Sequence, residues 1–232
     1  MISGGFSAPY LALVPAFERE TGMRLITIRG PSMGNDPTAI PVRLSRGEAA
    51  DVLIMVRSAL DGLIRAGRVI PRTEVDLVRS RIGLAVKAGS PKPDISTVAS
   101  LKRTLLGAKS VAYSDSASGV YVSGQLFRRL GIVHEMAAKA HMVPAIPVGK
   151  IVAEGRAEVG FQQLSELLPI AGIQVVGPIP DAVQKVTVFS GGVSTTSTCQ
   201  RQARRLIGFL ASSNARKTIE NAGLEPVIRK AR

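Results

Sequence analysis

Tryptophan is absent from this chain of 232 residues, cysteine occurs once and histidine twice. The lone Cys199 excludes an internal disulfide and a cysteine metal cluster. His134 and His141 lack the tight spacing of a metal pair, and no metal or cofactor is expected. Six Phe and three Tyr leave little for a platform that stacks bases or sugars. Uninterrupted apolar runs never reach the length of about 18 residues that reads as a membrane-spanning helix. No Ser/His/Asp set or carboxylate pair can be assembled from the sequence, so a non-enzyme is expected.

What is present is strongly basic, with a formal charge of +13. Arg201, Arg204, Arg205, Arg216, Lys217, Arg229, Lys230 and Arg232 concentrate near the C-terminus. Without interleaved aromatics they read as a solvated helical face rather than a nucleic-acid stripe. At 45% hydrophobic, the chain can build a sizeable core. Met1-Ile2-Ser3-Gly4-Gly5 carries neither a basic leader nor an apolar signal core. Ile2 reads as the tail of a strand, which favours an exported chain cut from its signal over a cytoplasmic one.

Apolar periodicity then organises the chain. Tyr10, Leu13, Val14 and Phe17 recur at helical spacing and stop at Gly22. Met23 to Ile28 reads as a strand, and Val52-Leu53-Ile54-Met55-Val56 as a strand covered on both faces. After residue 81 the strand–helix pattern restarts, and it passes through Val159-Gly160-Phe161-Gln162 before a helical C-terminus. Alternating strands and helices predict an α/β fold with mainly parallel sheets. The extended runs near 82–86 and 185–189 are the expected hinges, giving a discontinuous lobe 1–81 plus 190–232 and a second lobe 82–189. Two polar turns follow strands, Gly30-Pro31-Ser32-Met33-Gly34 and Ser114-Asp115-Ser116-Ala117-Ser118-Gly119. Hydroxyls and N–H groups at such turns suit an anion.

Four segments carry a family resemblance: Leu11 through Gly22 (LALVPAFERETG), Arg46-Gly47-Glu48-Ala49-Ala50-Asp51-Val52, Ser118-Gly119-Val120-Tyr121, and Gly155-Arg156-Ala157-Glu158-Val159-Gly160-Phe161. In this order the chain resembles a type II periplasmic solute-binding protein, most closely the molybdate-binding receptors of ABC transporters. The resemblance implies two α/β lobes joined by two hinge strands that close on a ligand. It implies ligand contacts at Gly5, Phe6 and Ser7, at Ser32 and Met33, at Ser116, Ser118, Gly119 and Tyr121, and at Gln162 or Gln163. Gly5 stands where molybdate receptors usually present serine, which favours a small organic acid over the oxyanion. Asp51 reads as structural, and Asp115 as a poor anion ligand.

The expected function is therefore a monomeric extracytoplasmic receptor delivering a small anion to membrane permease and ATPase subunits. Two alternatives stand beside it: an isomerase or dehydratase of an organic acid on the same scaffold, and a cytoplasmic effector-sensing module.

Overall fold

The computed structural model describes residues 1–144 and 146–227. Arg229, Lys230 and Arg232 of the basic C-terminus lie outside the described residues. The chain forms two compact units, one of residues 1–80 with 187–232 and one of residues 81–186.

The first unit begins with α1 (Gly4–Thr21), which buries Phe6, Tyr10, Leu13 and Phe17 at helical spacing. Gly22 caps it at φ 71°, a left-handed conformation that glycine adopts without Cβ strain. α2 (Ile40–Ser45) and the wholly buried β1 (Val52–Val56) follow, then α3 (Arg57–Arg65) and β2 (Val75–Ser80).

The second unit runs β3 (Ile82–Lys87), α4 (Val98–Gly107), β4 (Val111–Ser114) and α5 (Ala117–Tyr121). A π-helical turn over Val122–Leu126 joins α5 to α6 (Phe127–Leu130). Next come α7 (Val133–Ala137), β5 (Ala140–Val143), α8 (Val148–Ala153), β6 (Val159–Gln163), α9 (Leu164–Leu167) and β7 (Ile173–Pro178). The chain returns to the first unit with β8 (Thr187–Val193), α10 (Gln200–Leu210), α11 (Arg216–Asn221) and the short β9 (Glu225–Pro226).

The α/β architecture with helix-flanked sheets is as expected, but neither sheet is mainly parallel. In the first unit the order is β1-β8-β2-β9, and every pair in it is antiparallel. In the second the order is β5-β4-β6-β3-β7, with β4 parallel to β5 and β6, and β3 antiparallel to β6 and β7. The difference has a chain-path cause. β3 and β8 carry the chain from one unit to the other, outside the strand–helix–strand repeat that makes neighbours parallel.

The strand expected at Met23–Ile28 is also absent. Ile2 makes isolated parallel bridges to Arg29 and Ile54, and residues 23–28 have no ladder of their own. A cavity of about 530 Å³ is lined by Met1 and Ile2, by Met23–Ile28 and by Ala49–Val52, among others. Ile26 is 91% exposed. Among the described residues no helix is long and apolar enough to cross a membrane.

The second unit's core gathers Leu84, Leu101, Leu105, Val111, Leu126, Phe127 and Phe161 over one face of its sheet. On the other face, α8 packs Val148 and Val152 against Ala112. Gly160 makes this approach possible, because a Cβ there would come within 2.6 Å of both valine methyls. Val cannot swing such a methyl aside without leaving its rotamer. Gly160→Ala is therefore expected to lift α8 and cost about 1–3 kcal/mol, read as a lower denaturation midpoint with an unchanged denaturant slope.

Candidate functional site

The pairing of β4 with β6 sets the geometry of the second unit's polar cluster. The two strands run parallel and adjacent, with Val111 opposite Val159 and Tyr113 opposite Phe161. Their carboxyl ends therefore emerge at one edge of the sheet, the place where open α/β sheets present ligand sites. From β4 comes the serine turn, and from β6 come Gln162 and Gln163 followed by Glu166 in α9.

In the serine turn, Ser114 Oγ lies 2.8 Å from Ser116 Oγ and 3.1 Å from Ser118 Oγ. Ser118 is fully buried. The turn closes because Gly119 has no side chain: a Cβ there would collide with the Ser114 carbonyl. Three hydroxyls, each able to donate or accept, can redirect their protons toward an incoming carboxylate without a fixed counter-charge.

Gln162 is the anchor on β6. Its Oε1 accepts the Val148 backbone N–H at 2.9 Å in a buried setting. Its side chain also hydrogen-bonds Glu166. Burial pushes the Glu166 carboxyl up to about 7; the Gln162 hydrogen bond pulls it down, and the Asp115 charge pushes it further up. Glu166 itself was not singled out from the sequence, because a Ser-Glu pair after an apolar strand looks like ordinary helix opening. The available signal was its position, three residues beyond Gln163 at the end of a buried strand.

Gln163 is likewise buried, but alternation along β6 points it to the opposite face from Gln162. Tyr121, expected at the ligand, lies in the unit's core. Its hydroxyl donates to the Val183 carbonyl at 2.6 Å and accepts from Arg129 Nη1 at 3.1 Å. With both bonds made it ties the helix to the segment around 183.

In the first unit Ser7 is buried, and its hydroxyl has no hydrogen-bond partner among the described residues. Ser32 Oγ accepts the Val56 backbone N–H at 3.0 Å, which fixes its loop at the carboxyl end of β1. Phe6 is a fully buried core residue, and Met33 is half-buried beside Ser32. Gly5 faces the Phe189 ring so closely that a side chain there would overlap it. Phe189 thus fills the space that the usual serine would need. Arg57, next to this loop, binds Asp61 at 2.7 Å and Asp76 at 2.8 Å, so its charge is already matched.

The two units, each an α/β layer with hydroxyl donors at its strand ends, define a solute-binding class of protein. Residues 1–225 match the family described as bacterial extracellular solute-binding protein, and the chain belongs to it. Two solved structures share its fold. The periplasmic molybdate-binding protein of Azotobacter vinelandii has a TM-score of 0.73 at 19% identity, covering 99% of this chain and 98% of that one. The substrate-binding domain of a molybdenum ABC transporter protein from Clostridium difficile has a TM-score of 0.73 at 18% identity, covering 97% and 96%.

A relative from a Pseudomonas species is 51% identical over 225 residues, 97% of this chain and 86% of that one, and is named aconitate isomerase. That relative corrects two expectations, the transport receptor and the absence of enzyme activity. Receptor-like structures at under 20% identity share the fold, and a fold hosts many functions.

Two outcomes follow from the geometry. Gly5→Ser is expected to cost about 1–3 kcal/mol through overpacking, and less in a Phe189→Leu background; chemical denaturation of the four chains checks this. For Glu166 the folded carboxyl holds its proton up to about 7, against 4.5 in an ordinary setting. Folding takes up a proton between those values, so this group's contribution to stability falls as pH rises through the window. Glu166→Gln removes that loss, and calorimetry should show the variant gaining stability over wild type at about pH 8 relative to about pH 4.

Proposed function

We propose that this chain is an isomerase that interconverts the geometric isomers of aconitate or a close analogue. The observation that carries the proposal is the 51% identity across 97% of the chain to the Pseudomonas aconitate isomerase. The chemistry of the candidate residues supports it. Aconitate is a propene bearing three carboxylates, with a methylene on one side of the central carbon and a vinyl carbon on the other. Moving a proton from methylene to vinyl carbon shifts the double bond and allows the new one to form in the other geometry.

That reaction asks for neutral donors around carboxylates whose negative charge grows as the proton leaves. Hydroxyl and amide dipoles that are already oriented stabilise such charge without reorganising. Ser116, Ser118 and Gln162 in the second unit are groups of that kind. A net charge of +13 raises the local concentration of a trianion. The family description is of extracellular proteins, and we take the periplasm as the compartment. Permease and ATPase partners are not needed for an isomerisation.

The test is turnover: purified protein incubated with cis-aconitate, with the isomers separated by chromatography. Catalytic amounts should bring either isomer to the same equilibrium mixture, and binding without conversion would overturn the proposal. Ser118→Ala should lower kcat/KM by about 1.5–3 kcal/mol, the range for a hydrogen bond to a charged group.

A further inference from the structure

The carboxyl ends of β4 and β6 bring together something besides donors. Asp115 lies in the serine turn and Glu166 in the first turn after β6, close enough for the Asp115 charge to act on the Glu166 carboxyl. A pair of carboxylates thus sits at the same sheet edge as three serine hydroxyls and an amide. Glu166 is also held. Gln162 cannot rotate freely, because its Oε1 is engaged by the Val148 N–H at 2.9 Å. Its amide nitrogen is left for Glu166, and the Leu164 N–H, bonded to the Arg81 carbonyl at 2.9 Å, pins the start of the helix that carries it.

We propose that Glu166 is the acid–base residue of the isomerisation, an assignment that rests on the function proposed above. As a carboxylate it removes a proton from the substrate methylene. The C–H electron pair becomes a double bond to the central carbon, while the former double-bond pair moves to the old vinyl carbon. That carbon takes a proton from Glu166, which returns to carboxylate. One C–H bond breaks and one forms, the double bond moves by one position, and no oxidant, reductant or co-reactant is consumed.

Each part of the surroundings has a stated task. Gln162 orients the carboxyl, and the serine hydroxyls face the charge that spreads over the substrate carboxylates. Asp115 disfavours the ionised form, as burial does. A carboxyl that changes state near neutrality serves as base in one half of the cycle and as acid in the other. Other carboxylates of the second unit, such as Glu154 and Glu158, sit at the far, amino-terminal end of β6.

The experiment compares wild type, Glu166→Gln and Glu166→Asp with cis-aconitate as substrate and as ligand in thermal shift. Glu166→Gln should lose about 100-fold or more in kcat while keeping the ligand-induced shift in melting temperature. Wild-type kcat/KM should rise with pH to a plateau above about 7, and the residual activity of Glu166→Gln should lack that rise. Glu166→Asp, which keeps a carboxyl, should recover part of the rate and keep a pH-dependent limb. Wild-type turnover in Glu166→Gln, loss of the ligand shift with turnover, or an unchanged pH limb in the variant each overturns the assignment. Failure of the wild-type protein to convert aconitate instead overturns the function itself.

Discussion

The parallel contact of β4 with β6 is the constraint on which the second unit's chemistry depends. It brings two loops that are distant in sequence, the serine turn and the Gln162–Glu166 segment, to one edge of one sheet. Two small residues keep the arrangement tight. Gly160 lets α8 lie close enough for the Val148 N–H to reach Gln162, and Gly119 lets the serine turn fold back on its own carbonyl. Glycine works at both places through volume rather than backbone freedom, since neither adopts a positive φ.

The same edge carries an electrostatic cost that the fold tolerates. A half-buried, desolvated carboxyl beside a second carboxylate opposes ionisation, and an amide hydrogen bond from Gln162 offsets this in part. A structural carboxylate would be paired with a cation, as Asp61 and Asp76 are paired with Arg57 in the first unit. The contrast separates a group kept for stability from one kept for proton transfer, because stability and function commonly pull apart at such positions.

Much of this was readable from residue order. Gly22 marked a helix end where a left-handed cap is found, and the Val52–Val56 run announced a wholly buried strand. Local signals of that kind depend on the residue and its neighbours. What escaped depends on partners far along the chain. Residues 23–28 have strand-like composition but meet a neighbouring backbone only at Ile28, where Ile2 N–H donates, β8 is antiparallel because of the chain path, and the Tyr121 hydroxyl is bonded to the Val183 carbonyl. Serines 116 and 118 drew notice as turn residues, whereas the importance of Glu166 appears only when β4 and β6 are set side by side. The receptor reading went astray for a related reason: the motifs behind it report scaffold, and the acid–base group lies outside them.

The central claim is that this chain breaks and remakes a C–H bond of its ligand. Its most direct test starts from cis-aconitate deuterated at the methylene carbon and follows the label in trans-aconitate by proton and deuterium NMR. A proton shift places deuterium on the vinyl carbon of the product and hydrogen on its methylene. Product with an intact dideuterated methylene and a protonated vinyl carbon would show rotation without C–H cleavage, and would contradict the account.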